Sequence, residues 1–182
     1  PLRKLGLAIA VKNTMNPDAP GSLISARSPQ GGSVIKSVAH DTDIAILKVH
    51  ASGVGARPGV LARVSSTITG SGLNIKSVVT SQTCISFLLG QKDLDKAYQA
   101  IQLLSPRPYR RLERIQDVAL VGIVGKGLLR RRGIAARCFT AVAERNVNVE
   151  MISFGPSEVA VYFLVRNKDL QKAVEAIHTS FF

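Results

Sequence analysis

Apolar residues in this chain switch between strand-like runs and helix-like spacing, and the switching pattern occurs twice. Ile44 to Val49 is an apolar run of strand length, after which Val60, Val64 and Ile68 recur four residues apart on one helical face. Leu73 to Val79 and Cys84 to Leu89 predict a hairpin turning at Ser81-Gln82, and Leu94, Ala97 and Ile101 stripe a second helix. The order then returns. A strand at Asp117 to Val121 precedes a helix faced by Ile134, Cys138 and Val142. Strands at Val147 to Phe154 and Val159 to Val165 flank Gly155-Pro156-Ser157, and Leu170, Ala173 and Ile177 close the copy.

The residues themselves repeat as well. Asp43-Ile44-Ala45-Ile46-Leu47 becomes Asp117-Val118-Ala119-Leu120-Val121, and Arg57, Gly59, Ala62, Arg63 and Asn74 become Arg131, Gly133, Ala136, Arg137 and Asn148. SQTCISFLLGQKDLDKAYQAI, from Ser81, returns as SEVAVYFLVRNKDLQKAVEAI from Ser157. One structural unit has been duplicated. Each copy reads β-α-β-β-α, and a ferredoxin-like βαββαβ module needs one more strand. Tyr109 to Ile115 can close the first copy, whereas the second ends at Phe182 with nothing left. Ser33 to Ala39 precedes Asp43 as Tyr109 to Ile115 precedes Asp117, so it is the expected closing strand of the second copy. The fold class follows: α+β, two βαββαβ modules with antiparallel sheets and helices on one face, the first module inserted into the second. Asp93 and Asp169 sit at the starts of the closing helices, where a carboxylate favours the exposed amides.

Ahead of the repeats, Ala8 to Lys12 predicts a strand, 13–21 a dense turn segment, and Ser25 to Gly32 a polar linker. No apolar run approaches the roughly 18 residues that cross a bilayer, and the start carries no secretory h-region. Cys84 and Cys138 fall at apolar positions without metal-ligand neighbours, which points to reduced core thiols and a cytoplasmic setting. The formal net charge of +12 raises the possibility of nucleic-acid binding through Arg107 to Arg114 and Arg130-Arg131-Arg132. With only 5% aromatic residues, neither Cys84 to Leu89 nor Val159 to Val165 supplies the aromatics that stack RNA bases, so nucleic acid is a disfavoured partner. His40, His50 and His178 each lack a nucleophile or acid nearby in sequence, and they read as packing or surface residues.

The segments VKNTMNPDAPGSLI, SVAHDTDIAIL, RPGVLARV with RRGIAARCF, and KDLQKAVEAIHTSFF, taken in this order, make nearly the whole chain resemble the tandem ACT-domain regulatory region of aspartate kinases. That family also inserts its first ACT domain into its second. The resemblance implies 1–32 as the tail of a kinase catalytic domain plus linker, 40–115 as the first ACT domain, and 33–39 with 116–182 as the second. The ending at Phe182 resembles the C-terminus of a monofunctional enzyme. Catalysis, with its ATP and magnesium, would belong to the parent enzyme, because this chain has no Lys-Phe-Gly-Gly type motif, phosphate loop or carboxylate cluster; no cofactor is expected here.

What the resemblance implies is an allosteric sensor of an end-product amino acid that passes feedback inhibition to a kinase domain of the same parent chain, working as a homodimer or higher homo-oligomer. Its effector residues carry over to Val54, Ala56, Arg57, Gly59, Val60, Leu61, Asn74, Ile75, Lys76, Ser81 and Gln82. The loop suits a carboxylate on its own terms: Gly55 and Gly59 allow close backbone approach, the next helix aims free amides at an anion, and Pro58 fits a first helical position. Two positions depart from lysine-inhibited relatives. Lys76 replaces an aspartate and is expected to repel a ligand ammonium, and Gln82 stands where some have glutamate, so threonine is favoured over lysine. The equivalent second loop, Leu128 to Arg132 before Gly133, is bulkier and expected to be structural. A dimerisation module that binds no ligand is the alternative from a different functional class, and a basic nucleic-acid-binding protein is a further one.

Overall fold

A computed structural model of the chain describes residues 5–25, 34–51, 54, 58–128, 130–155 and 157–182. It divides into two units, Pro1–Ser33 and Val34–Phe182. In the leading unit β1 (Ile9–Val11) pairs antiparallel with β2 (Ser22–Ile24), Ile9 opposite Ile24. The segment between them turns on Asn13, whose Oδ1 accepts from the Met15 amide at 2.9 Å and whose carbonyl accepts from Asn16 at 3.2 Å. Gly21 is required where the chain returns, since it has φ +71° and a Cβ there would lie 2.4 Å from the Val11 carbonyl oxygen. The expected linker falls almost wholly outside the described residues, as does Ser33.

Two long strands organise the larger unit. They are β3 (Ile35–His50) and β6 (Arg111–Gly125). Between and after them come α1 (Val60–Gly70), β4 (Ser77–Thr80), β5 (Cys84–Leu89), α2 (Leu94–Gln102), α3 (Ile134–Glu144), β7 (Met151–Ser153), β8 (Ala160–Arg166) and α4 (Leu170–Phe181). The strands form one six-stranded sheet in the order β4-β5-β3-β6-β8-β7. β3 and β6 run antiparallel over almost their whole length, Ile35 opposite Gly125 and His50 opposite Arg111, with register slips between Ile35 and Ser37, between Asp41 and Ile44, and between Ile44 and Ile46. β5 joins only the second half of β3, from Ala45 to His50, and β8 joins only the second half of β6, from Val118 to Val124. One module is therefore β4-β5 with the second half of β3 and the first half of β6. The other is β7-β8 with the second half of β6 and the first half of β3. Two βαββαβ modules result, the first inserted into the second.

The closing strands expected as separate pieces, 33–39 and 109–115, are instead continuous with the strands that follow them. Each crosses a polar junction without stopping: Asp41 to Asp43 as a bulge, and Asp117 through a left-handed backbone at φ 60°. The hairpin strands are shorter than the expected 73–79 and 147–154. Leu73 and Val147 donate their amides back to Ile68 and Val142 of the preceding helices, both at 3.4 Å, so these residues are still leaving a helix.

Period-2 alternation divides the side chains between two faces. Ala45, Leu47, Val49, Phe87 and Leu89 bury against Val60, Val64 and Ile68 of α1 and Leu94, Ala97 and Ile101 of α2. Val121, Ile123, Phe163 and Val165 do the same against α3 and α4, with Phe139 edge-on to Phe163 at 5.7 Å. On the opposite face Ile44, Ile46, Leu88, Val118 and Leu164 form a third buried cluster, where the two modules share their helix-free sides. The helix partners are also pinned alike. Arg63 of α1 donates to the Ser105 carbonyl beyond α2, and Arg137 of α3 donates to the Ser180 carbonyl in α4. Asp93 and Asp169 are the N-cap residues of α2 and α4, but neither side chain bonds the helix amides, so their contribution is the charge alone.

Because β3 and β6 belong to both modules, residues 34–182 are expected to unfold in one transition. Phe87→Ala and Phe163→Ala, each deleting a fully buried ring, should each cost about 3–5 kcal/mol and move the same urea midpoint. Circular dichroism and near-ultraviolet signals read on both variants check this, and two separate transitions would contradict it.

Candidate functional site

At one end of the first module the β3–α1 loop lies against the β4–β5 turn. Ala51 donates its amide to the Thr83 carbonyl at 2.9 Å, and Val54 donates to the Gln82 carbonyl at 3.0 Å. The Val54 side chain packs on the first core, anchoring the loop from beneath. Ser81 holds the turn closed, its Oγ accepting from Cys84 N at 3.1 Å and Thr83 N at 3.4 Å. α1 then starts at Gly59, which has φ 84° and would meet nothing with an added Cβ, so the left-handed backbone rather than crowding selects glycine. Pro58 consequently sits before this N-cap and not at the expected first helical position. Val60 is buried and Leu61 exposed, and the first turn carries no acidic residue. Its leading amides lack intrahelical acceptors and favour an anion. Ala56 and Arg57 lie outside the described residues. Gln82 is exposed at the turn, and Ser81 borders a cleft of about 280 Å³ shared with Lys48, His50, Cys84 and Glu150.

The remaining candidates stand farther along the hairpin. Asn74, Ile75 and Lys76 stand at the other end of β4, five residues or on the order of 16 Å along the chain from Ser81. Asn74 is exposed and Ile75 packs on the first core. Lys76 does not present a free ammonium. Its Nζ donates to Asp41 Oδ2 at 3.0 Å, to the Asp43 carbonyl at 2.5 Å and to Asp43 Oδ2 at 3.2 Å. Three donors meet three acceptors. The expected repulsion of a ligand ammonium by Lys76 thus gives way to a corner in which that charge is already neutralised. The same corner reaches α2: Asp43 Oδ1 accepts from Gln91 N at 2.9 Å, and Gln91 Nε2 donates to the Thr42 carbonyl at 2.7 Å. The Gln91 amide and the Lys76 ammonium hold the Asp43 carboxyl below its ordinary range. Burial opposes the Lys76 charge, but the bonds to Asp41 and Asp43 prevail and its pKa is raised. The signal for this corner was present in Asp41-Thr42-Asp43, but its partner lies 33 to 35 residues away.

The second module builds the same corner with the charges moved. Glu150 occupies the place of Lys76, its amide bonded to Leu164 O at 2.8 Å as Lys76's is to Leu88 O. Its carboxylate accepts from Arg166 Nε at 2.8 Å. Arg166 takes the place of Gly90, where a Cβ would come within 3.3 Å of the Asp43 carboxylate. In the loop equivalent to the candidate site Leu128 is buried in the second core, while Lys126, Arg130 and Glu158 border a cleft of about 460 Å³.

Among the other reactive groups, His50 meets Glu113 at 3.1 Å, lowering that carboxyl, and His178 stacks on Phe182. Cys84 and Cys138 are both free thiols, and burial pushes Cys138 up to about 11. Among the described residues there is no grouping suited to a metal ion, and no helix is long and apolar enough to cross a membrane.

The ACT-domain family model matches residues 47–102 and again 121–181, the two modules in turn. The chain belongs to the ACT-domain family. All of it aligns at 29% identity with 23% of a bifunctional aspartokinase/homoserine dehydrogenase of Haemophilus influenzae. Ninety percent aligns at 31% identity with 41% of an aspartate kinase of Stutzerimonas stutzeri. Thus the ACT-domain chain spans less than half the length of these curated relatives. Among solved structures, aspartate kinase of Clostridium acetobutylicum superposes with a TM-score of 0.88 at 26% identity, over 100% of this chain and 43% of that one. The regulatory subunit of aspartate kinase from Thermus thermophilus superposes at 0.72 and 26% identity, over 82% of this chain and 99% of that one. The similarity is to the regulatory part of aspartate kinases.

The corner at Asp43 has a pH signature. Its folded carboxyl is lowered from 3.8, so its stabilisation is complete above that value and lost as pH falls through the folded value. Lys76, raised from 10.5, contributes fully below that value and loses its contribution only as pH rises beyond it. Asp43→Asn should therefore flatten the loss of stability as pH falls below about 4 and leave the slope near neutrality unchanged. Urea midpoints taken across that range measure it, and equal acid slopes in both proteins would contradict it.

Proposed function

We propose that this chain is the allosteric regulatory region of an aspartate kinase, and that the β3–α1 loop with the β4–β5 turn takes an end-product amino acid. The observation that carries the reading is the hydrogen bond from Val54 to Gln82, which holds the glycine-led start of α1 beside the turn. The α1 amides suit the effector's carboxylate, and the Gln82 amide suits a hydroxyl. Threonine is favoured over lysine because no acidic side chain stands among Val54, Gly59 to Leu61, Ser81 and Gln82, and the nearby carboxylates of Asp41 and Asp43 already hold Lys76. Ala56, Arg57, Asn74 and Ile75 complete the proposed effector set, with Lys76 at its far edge.

The Clostridium acetobutylicum relative is described as an allosteric enzyme, which agrees with this reading. The partners would be a kinase catalytic domain of the parent protein, which supplies ATP and magnesium chemistry, and further copies of this chain. Residues 1–32 would then be the end of that catalytic domain, with 40–115 and 33–39 plus 116–182 as the two ACT domains in a cytoplasmic enzyme. Effector binding regulates to the extent that it favours one arrangement of kinase and ACT domains over another. A ligand-free dimerisation module is the second reading. It draws on β4 and β7, the end strands of the sheet, whose outer edges could pair with another copy.

Titration calorimetry and thermal melting with threonine, lysine and methionine decide between the two. A ligand at a hundredfold its Kd adds about 2.7 kcal/mol to stability, a clear rise in melting temperature. Threonine is expected to give that rise, with hydrogen-exchange protection concentrated at 58–62 and 81–83. No shift with any of the three, in a chain that sediments as a dimer, would overturn the sensor reading in favour of the dimerisation module.

A further inference from the structure

On the helix-free face of the first module, polar residues take over from the apolar pattern. Lys48 stands opposite Ser86 and His50 opposite Cys84 in the β3–β5 ladder, so all four side chains share that face. With Val79 of β4 they line the cleft of about 280 Å³ that Glu150 and Met151 of the second module also border. Ser86 is only 9% exposed, and its hydroxyl reaches nothing but the Cys84 sulfur at 4.0 Å, a weak partner. Among the described residues Lys48 forms no hydrogen bond or ion pair; its charge is felt by Glu113, whose carboxylate His50 and Arg111 already bond. Glu150 accepts from Arg166 through Oε1 alone, which leaves its second oxygen open.

The duplication supplies an internal control. The counterparts of Lys48 and Ser86 are Gly122 and Tyr162, again opposite each other, and there the ring covers the glycine: a Cβ on Gly122 would lie 3.1 Å from it. His50 and Cys84 correspond to Val124 and Ala160. The matching cleft, also of about 280 Å³, is bordered by Leu88, Leu120, Met151 and Tyr162 with Lys76, whose ammonium is already held by three acceptors. The fold therefore does not demand polar groups at these positions. Only the first copy sets a buried, unpartnered hydroxyl beside an unpaired ammonium.

We infer that the cleft between Lys48, Ser86 and Glu150 binds a small carboxylate that carries an ammonium or hydroxyl at its other end. Lys48 and Ser86 donate to the carboxylate, Glu150 accepts from the far donor, and Val79 and Met151 take the carbon chain between them. Glu150 disfavours a dianion. The volume lies just under the roughly 300–1,000 Å³ of sites for drug-sized ligands and suits a molecule of a few carbons. Such an occupant touches both modules and so favours one arrangement of the two. The site goes beyond the proposed effector site: Ser81 borders both, but the α1 amides take no part in this one.

The test uses the full 182-residue chain and a thiol that the cleft itself contains. Cys84 borders the cleft, whereas Cys138 is buried and pushed up to about 11, so alkylation by iodoacetamide followed by mass spectrometry reads Cys84 selectively. 4-Aminobutyrate and 4-hydroxybutyrate should each slow that reaction saturably, about elevenfold at ten times the Kd, and the stronger of the two names the donor. Butyrate should protect less, and n-butylammonium not at all. Ser86→Ala and Lys48→Met should each weaken protection, the latter by roughly ten- to a hundredfold in Kd. Where Cys84 reacts too slowly to follow, the isotope-labelled methyl signal of Met151 replaces it, with Met15, 90% exposed in the leading unit, as the internal reference. No protection by either donor-bearing acid, equal protection by butyrate or n-butylammonium, or protection unchanged in Lys48→Met would each overturn the inference. Neither substitution lies among the proposed effector residues, so the threonine response reports on that site separately.

Discussion

The antiparallel pairing of β3 with β6 is the constraint on which the rest of residues 34–182 depends. Each strand is longer than either module requires, and each serves both. β5 and β8 attach to different ends of this pair, which places the two helix layers at separate ends of one sheet. The helix-free sides must then meet where the long strands cross from one module to the other. Ile44, Ile46 and Val118 are fully buried there, in a cluster made of strand residues. A change in the angle between the modules has to pass through those residues and the bulge beside them, because the modules are joined by the continuous strands β3 and β6.

Duplication preserved the geometry of that bulge region while reassigning its charges. Lys76 and Glu150 occupy equivalent places, with equivalent backbone bonds to Leu88 and Leu164, yet one meets aspartates from its own β3 strand and the other meets Arg166 from β8. What persisted is the demand that a polar strand entry beside an apolar crossing be satisfied. The identity of the satisfying groups was free to drift, and Gly90 against Arg166 records the drift: the first leaves space for a carboxylate, the second supplies a cation. These are half-exposed pairs, so their value lies in fixing direction more than in large stabilisation.

The helical faces, the β5 hairpin strand and even the need for an early closing strand were legible in the sequence. Val60, Val64 and Ile68, and their counterparts Ile134, Cys138 and Val142, keep a four-residue spacing that puts them on one face of a helix, and all are buried. Counting strands against the βαββαβ requirement located the missing one. Continuity of the long strands was not legible, because Asp41 to Asp43 and Gln116-Asp117 interrupt the apolar pattern as a loop would, and a bulge leaves no separate sequence mark. β2 is too short to show periodicity. For the candidate site, glycine at the start of α1 was readable, but its left-handed backbone, which displaces Pro58 from the helix, was not. The partners of Lys76 were not legible for a simpler reason: a charge read in isolation suggests what it repels, whereas they sit 33 to 35 residues upstream and become neighbours only through the sheet.

The continuous spine has a further consequence for how such a chain can be taken apart. The first module leaves the second at Asp41 and re-enters it at Val118, and Asp41 stands directly opposite Leu120 in the ladder. Its two ends therefore emerge side by side, as the ends of a removable cassette do. Joining them by a tight turn would leave 34–41 and 120–182 as an unbroken, circularly permuted module that starts with its own final strand. Exchange of the unit at those two adjacent points would leave the ladder beyond them paired but would uncover Leu164, which the first module buries through Ile44, Ile46 and Leu88.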